Sequence, residues 1–339
     1  MRGRGVAAGR RLGLLAVGAA LIAPSVALAQ DGATLTLVAY STPREAYEEI
    51  IPLFQETEAG AEVEFEQSYG GSGDQSRAVE GGLAADIVAL SLAPDVDRLV
   101  EPGVVPEDWA ENEYDGFVTR SVVVFAVRPG NPKNIQTWDD LVRDDVAVVT
   151  PNPLTSGGAK WNIMAAWGAQ TTEPAAGASP EAATDEATEE AATEYLRELF
   201  ANVAVQDKSA RESLTTFLGG QGDVLLAYEN EVITAQQAGE EIEYVLPDET
   251  ILIENPIAVT SESDNAEQAQ AFVDFARSPE GQRIFAEKGY RSVLDEVPAD
   301  FPEFEDPAGL FTIEAFGGWS DVNEKFFSED GIVASVQDQ

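Results

Sequence analysis

The 339-residue sequence contains no cysteine and no histidine. That removes disulfides, an imidazole general base, Ser-His-Asp and Cys-His nucleophile systems, lipidated cysteine and zinc sites of the usual ligand types. Positive charge is scarce as well: 20 Lys and Arg stand against 61 Asp and Glu, a formal charge of −41. A chain so acidic repels phosphate backbones and anionic lipid surfaces, so nucleic acid is excluded as a partner. A hydrophobic fraction of 44% nevertheless marks a folded acidic protein and not an acidic tail.

What is present begins with a leader. Arg2, Arg4, Arg10 and Arg11 precede an apolar run from Leu12 to Ala29 that ends in the small-x-small pattern Ala27-Leu28-Ala29. This reads as a signal peptide over 1–29, with Arg10-Arg11 hinting at twin-arginine export and a membrane anchor as the other reading. Removing 29 residues that carry four arginines and no acid leaves 310 residues at −45. Such a length suits two lobes. Short β-rich runs such as Thr34–Ala39, Asp86–Leu90, Val122–Val127 and Val224–Ala227 alternate with helical patterns, which predicts α/β lobes with mainly parallel sheets. A low-complexity insertion of Ala, Glu, Thr, Pro and Gly covers about 171–193 and is read as a loop turning helical towards Tyr195.

The chemistry-bearing signal lies at four helix starts, each directly after a strand. Thr42-Pro43-Arg44-Glu45, Ser72-Gly73-Asp74-Gln75 and Ser209-Ala210-Arg211-Glu212 have capping-box spacing, and Ser156-Gly157-Gly158 opens a fourth helix. Helix starts expose N–H groups without helical partners and a partial positive charge, so they hold anions without any cation. Capped helices occur in every α/β protein. The set points further because two starts are glycine-rich and because ligands of open α/β sheets bind outside the carboxyl ends of strands.

The runs Gln67-Ser68-Tyr69-Gly70-Gly71-Ser72-Gly73, Arg128-Pro129-Gly130-Asn131-Pro132-Lys133, Ser156-Gly157-Gly158-Ala159-Lys160-Trp161-Asn162 and Gly222 through Glu231 resemble the periplasmic sulfate-binding protein family of ABC importers. Ser278-Pro279-Glu280-Gly281-Gln282 and Phe316-Gly317-Gly318-Trp319 extend the likeness, which runs from about Leu35 to about Phe327. The resemblance implies a two-lobed, type II periplasmic-binding-protein fold joined by two crossover strands. Lobe I would comprise 30–125 plus 255–339 and lobe II 126–254, with the changes near Phe125 and Glu254. It implies an exported, periplasmic or cell-surface receptor that captures sulfate or thiosulfate, delivers it to an ABC permease, works as a monomer, and uses no cofactor, metal or catalysis. By residue-for-residue transfer the donors are the backbone at Ser41, the backbone and hydroxyl of Ser72, the hydroxyl of Ser156, the N–H groups of Gly157, Gly158 and Ala210, and Tyr228. Arg44, Lys160 and Arg211 would support the field or orient peptides, or serve as ordinary ion pairs.

Two departures stand out: Ser41 replaces the family's usual Asp, and Tyr228 replaces its usual Trp. A phenol O–H can donate as an indole does, but it sits differently and can also accept. Sulfate carries no proton at neutral pH, whereas phosphate keeps one and needs an acceptor, so a site of serines and amides favours sulfate. Hydrogen bonds to charged groups contribute roughly 1.5–3 kcal/mol each. About seven of them exceed the roughly 8 kcal/mol of micromolar binding even after ordering costs. Receptors for molybdate, tungstate or phosphate remain alternatives, as does, more remotely, a serine hydrolase using Ser156 with Lys160. Trp138, behind a Thr137/Asp140 box, reads as packing; Tyr40, Tyr47 and Tyr69 lack a ferric pairing; the acidic clusters lack calcium-loop spacing.

Overall fold

The computed structural model describes residues 32–172 and 185–337. The leader expected at 1–29 lies outside the described residues, as do positions 173–184 of the insertion. From Glu186 onwards the insertion is already helical, earlier than the expected turn near Tyr195. Asp185 caps that helix by accepting from the N–H of Thr188, and Ala, Glu and Leu sustain it. No described helix is long and apolar enough to cross a membrane.

In chain order the first elements are β1 (Ala33–Tyr40), α1 (Arg44–Gln55), β2 (Val63–Gly70), α2 (Ser72–Glu80), β3 (Ile87–Ala89), α3 (Ala93–Asp97) and β4 (Phe117–Val127). There follow β5 (Val148–Pro151), α4 (Gly157–Thr171), α5 (Glu186–Ala201), β6 (Val203–Asp207), α6 (Ala210–Leu218), β7 (Val224–Tyr228) and α7 (Glu229–Gln237). β8 (Glu243–Val245), β9 (Glu249–Val259), α8 (Ala266–Arg277), α9 (Pro279–Glu287) and β10 (Gly309–Phe311) complete the frame. The main strand order is β2-β1-β3-β9-β4-β7-β5-β6, with β10 on β9 and β8 on β4.

β1 pairs in parallel with β2 and β3, and β5 pairs in parallel with β6 and β7. The antiparallel pairings belong to β4 and β9, which run between the two halves of the sheet. β4 leaves β9 for β7 between Val122 and Val123, and β9 leaves β4 for β3 between Pro256 and Ile257. Glu254, Asn255 and Pro256 interrupt the apolar pattern of β9, which is why periodicity alone does not reveal this strand.

The period-two pattern of the strands decides the core. Leu35, Leu37 and Ala39 of β1 face Tyr47, Phe54, Phe272 and Phe285 of α1, α8 and α9, while Val38 turns to the opposite layer with Val88 and Leu90. In the other half, Val123, Phe125 and Val127 face the layer of α4, and Val122, Val124 and Ala126 face that of Leu214 and Phe217 on α6. β4 is thus apolar on both faces, as a strand covered by helices on both sides must be. Trp138 is packing, as expected: it is buried edge-on against Phe125, donates from Nε1 to the Glu249 carbonyl, and follows a complete Thr137/Asp140 capping box.

Candidate functional site

The carboxyl ends of β1, β2, β5, β6 and β7 point to one place. Ser41 follows β1, Ser72 opens α2, Ser156 is the N-cap of α4 with Gly157 and Gly158 behind it, Ala210 opens α6 and Tyr228 ends β7. All seven line one small cavity with about 200 Å³ of empty space, together with Tyr40, Thr42, Gly70, Gly71 and Ser91. No charged side chain lines it. Residues up to 188 positions apart in sequence meet because parallel strands deliver every following helix start to the same edge of the sheet.

The helix starts differ from the expected boxes, and the difference determines which donors are free. Only Ser209 caps, accepting from the Glu212 N–H at 3.2 Å. Thr42 does not cap α1, whose N-cap is Pro43; its hydroxyl pairs with Tyr290 at 3.0 Å. Ser72 is already helical behind the N-cap Gly71, and Gln75 turns away to Ser68 and to the Ala39 carbonyl. Ser156 occupies the N-cap position without making a side-chain cap bond. The N–H groups of Ser72, Gly157, Gly158 and Ala210 are first-turn helical amides for which no intrahelical acceptor exists, and no other acceptor engages them among the described residues. The site therefore presents unpaired amides at three helix N-termini, plus the Ser156 hydroxyl.

The Ser72 hydroxyl is the exception to the expected donor set. It donates to Asp95 Oδ2 at 2.5 Å and accepts the Ser91 N–H at 2.9 Å, so its proton is committed away from the cavity. Asp95 is buried, and that burial raises its carboxyl above the ordinary range, against the Ser72 hydrogen bond and the Lys160 ammonium, which lower it. Only the Ser72 amide remains available.

None of the three supporting cations lines the cavity. Arg44 is exposed and lies over the Tyr69 ring at 4.7 Å. Lys160 donates to Asn323 Oδ1 at 3.0 Å and lies 4.8 Å over Phe327, in a neighbouring larger pocket shared with Arg77, Arg98 and Asp95. That placement holds the Lys160 ammonium elsewhere than on Ser156. Arg211, next to Ala210, grips Glu45 of α1 through both Nη atoms at 2.6 and 2.7 Å and reaches the Thr42 carbonyl at 3.3 Å. It ties the two halves of the sheet together beside the cavity. Further ties are Gly73 N–H to the Thr155 carbonyl at 3.1 Å, Arg77 to the Leu154 carbonyl at 2.9 Å and Trp161 Nε1 to the Ser91 carbonyl at 2.9 Å.

Burial holds the cavity's phenols neutral: Tyr40 is pushed up to about 12 and Tyr228 well above its ordinary value. Tyr228 hydrogen-bonds through its hydroxyl to Ser91 Oγ at 2.7 Å. Besides Tyr40, which ends β1, Ser91 is the lining residue that lies outside the sequence motifs. The signal that finds it is positional: it lies two residues past β3, as Ser41 lies one past β1, on a neighbouring strand of the same sheet edge.

Residues 35–291 match the sequence profile of bacterial extracellular solute-binding proteins. A sulfate-binding protein of Synechococcus elongatus is 41% identical over 316 residues, covering 89% of this chain and 86% of that one. A thiosulfate-binding protein of Pseudomonas aeruginosa is 35% identical over 336 residues, covering 94% and 97%. Among solved structures, the sulfate-binding protein SubI of Mycobacterium tuberculosis superimposes with a TM-score of 0.79 at 40% identity, covering 86% of this chain and 98% of that one.

Proposed function

Because this chain belongs to the bacterial extracellular solute-binding proteins, a family of binding and not catalytic proteins, we propose that it captures sulfate outside the cytoplasm and hands it to an ABC permease. The observation that carries the reading is a small cavity without one charged lining residue, into which three helix N-termini present unpaired amides. A fully deprotonated dianion fits such a donor set, since aligned N–H dipoles stabilise it and it has no proton in need of an acceptor. The proposed contacts are the backbone at Ser41, the N–H groups of Ser72, Gly157, Gly158 and Ala210, the Ser156 hydroxyl and one hydroxyl donor at the Tyr228 position, where Tyr228 is paired with Ser91 at 2.7 Å. Arg211 orients the Ala210 peptide through its grip on Glu45.

The two lobes are proposed to divide near Phe125 and Glu254 and to close over the anion as a monomer, with β4 and β9 as the crossovers. Thiosulfate, a tetrahedral dianion of the same charge, fits the same donors, and the similarity to a thiosulfate-binding protein keeps it beside sulfate as a ligand. Titration calorimetry is expected to give one-site sulfate binding in the micromolar range or tighter, with phosphate far weaker. Heat from molybdate or phosphate with none from sulfate would overturn the assignment while leaving the fold intact.

A further inference from the structure

Ser91 is 1% exposed and its main chain is held from three directions. Its N–H donates to Ser72 Oγ at 2.9 Å, and its carbonyl accepts from Trp161 Nε1 at 2.9 Å and Asn255 Nδ2 at 2.8 Å. With the backbone fixed, the hydroxyl has only side-chain rotation left. It stands 2.7 Å from the Tyr228 hydroxyl, and both residues line the cavity. Two hydroxyls at that distance use one proton between them and leave one to donate elsewhere. The surroundings fix where. A Cβ placed on Gly157 would stand 2.8 Å from Ser91 Oγ, and one placed on Gly158 would stand 3.6 Å from Tyr228 Cε1, so the pair borders the two glycines whose amides face the cavity. The direction of the shared proton follows from acidity. A phenol, with an ordinary pKa near 10, is a better donor and a poorer acceptor than an aliphatic alcohol.

We propose that Ser91 is an anion-binding residue: Tyr228 donates its O–H to Ser91 Oγ, and Ser91 donates its own O–H to the bound oxyanion. Tyr228 is then a positioning residue that polarises the serine, since a hydroxyl that accepts a hydrogen bond donates more strongly. Two hydroxyls from the carboxyl ends of different strands together supply one directed donor. The inference rests on the oxyanion reading above for the identity of the ligand.

The test is calorimetric titration of the wild-type chain and of Ser91→Ala, Tyr228→Phe and the double variant with sulfate, with thermal unfolding followed in parallel. Losing one hydrogen bond to a dianion corresponds to a roughly 10- to 150-fold loss of affinity. Ser91→Ala is expected to show it. Tyr228→Phe keeps the direct donor and is expected to lose less than about fivefold, and the double variant is expected to match Ser91→Ala, because Tyr228 acts only through Ser91. Ser91→Cys, which keeps the volume but offers only a weak S–H donor, should follow Ser91→Ala if packing is not the cause. Wild-type affinity in Ser91→Ala, or a loss in Tyr228→Phe equal to or greater than that in Ser91→Ala, would overturn the inference and leave sulfate capture standing. If the wild-type chain took up molybdate, phosphate or thiosulfate and not sulfate, the sulfate reading would fall and the same variants titrated with that anion would decide this one. A wild-type chain that bound none of these would overturn both.

Discussion

Glu231 offers a quantitative test of how this protein handles charge near its site. It lies in the first turn of α7, is 1% exposed, and its Oε1 has no hydrogen-bond partner. Burial pushes its carboxyl up to about 7 from an ordinary 4.5; Arg211 opposes the shift, Glu45 adds to it, and the phenols of Tyr40, Tyr228 and Tyr290 feel its charge. The folded state therefore holds this proton more tightly than the unfolded chain does. The associated stability is complete below about pH 4.5, declines as pH rises towards 7, and is absent above. A shift of that size corresponds to about 3 kcal/mol. Glu231→Gln, neutral at every pH, should match the wild type near pH 4.5 and exceed it by up to about 3 kcal/mol at pH 8. At roughly 2 °C or more per kcal/mol, that is a gain of about 6 °C in melting temperature. Calorimetric melts of both proteins from pH 4.5 to 8 read it directly. Because other buried acids such as Asp95 and Glu229 are common to both, their contributions cancel in the difference. A gain that did not change with pH would refute the reasoning, and a variant less stable than the wild type at pH 8 would refute it and show a productive Glu231–Arg211 charge pair.

Further outcomes follow from the site and from the net charge. Ser156→Ala removes an uncommitted hydroxyl and should weaken sulfate binding at least tenfold, whereas Ser72→Ala should lower stability by about 2–3 kcal/mol, by stripping partners from Asp95 and the Ser91 N–H, and change affinity far less; parallel titration and melting separate the two. Gly157→Ala would place a Cβ 2.5 Å from Leu92 Cδ2 and 2.8 Å from Ser91, a wedge between the two halves of the sheet; it should abolish binding with little loss of helix content by circular dichroism. The net charge of −41 predicts higher stability in molar salt than in low salt, because screening relieves self-repulsion, and equal melting temperatures in both would refute that expectation.

The strands of β1, β3, β4 and β7 are readable from their apolar runs, and the glycine-rich helix starts from residue type alone. β9 is not, since Glu254, Asn255 and Pro256 break its pattern and only pairing with β3 and β4 makes it a strand. Capping boxes are legible as spacings but not as bonds. Thr42, Ser72 and Gln75 each satisfy the spacing, yet Tyr290, Asp95 and Ser68, distant in sequence or on another element, take their side chains instead. Ser91 is invisible to spacing because it belongs to no motif; it becomes part of the site through a neighbour 137 residues away.

The acidity and the missing histidine and cysteine are properties of composition, and from them alone it follows that the chain cannot carry imidazole or thiolate chemistry or hold a polyanion by surface charge. The serines and glycines at strand ends likewise determine that amide donors can be exposed, because a helix start leaves N–H groups unpaired whatever packs around it. Which of those donors are free was decided only in three dimensions. A hydroxyl proton goes to the nearest acceptor, and long-range folding chose that acceptor: Asp95 for Ser72, and for Ser156 no cap bond at all. The cations were settled in the same way, with Arg211 drawn to Glu45 and Lys160 to Asn323, so that the cavity is lined by dipoles and not by charge.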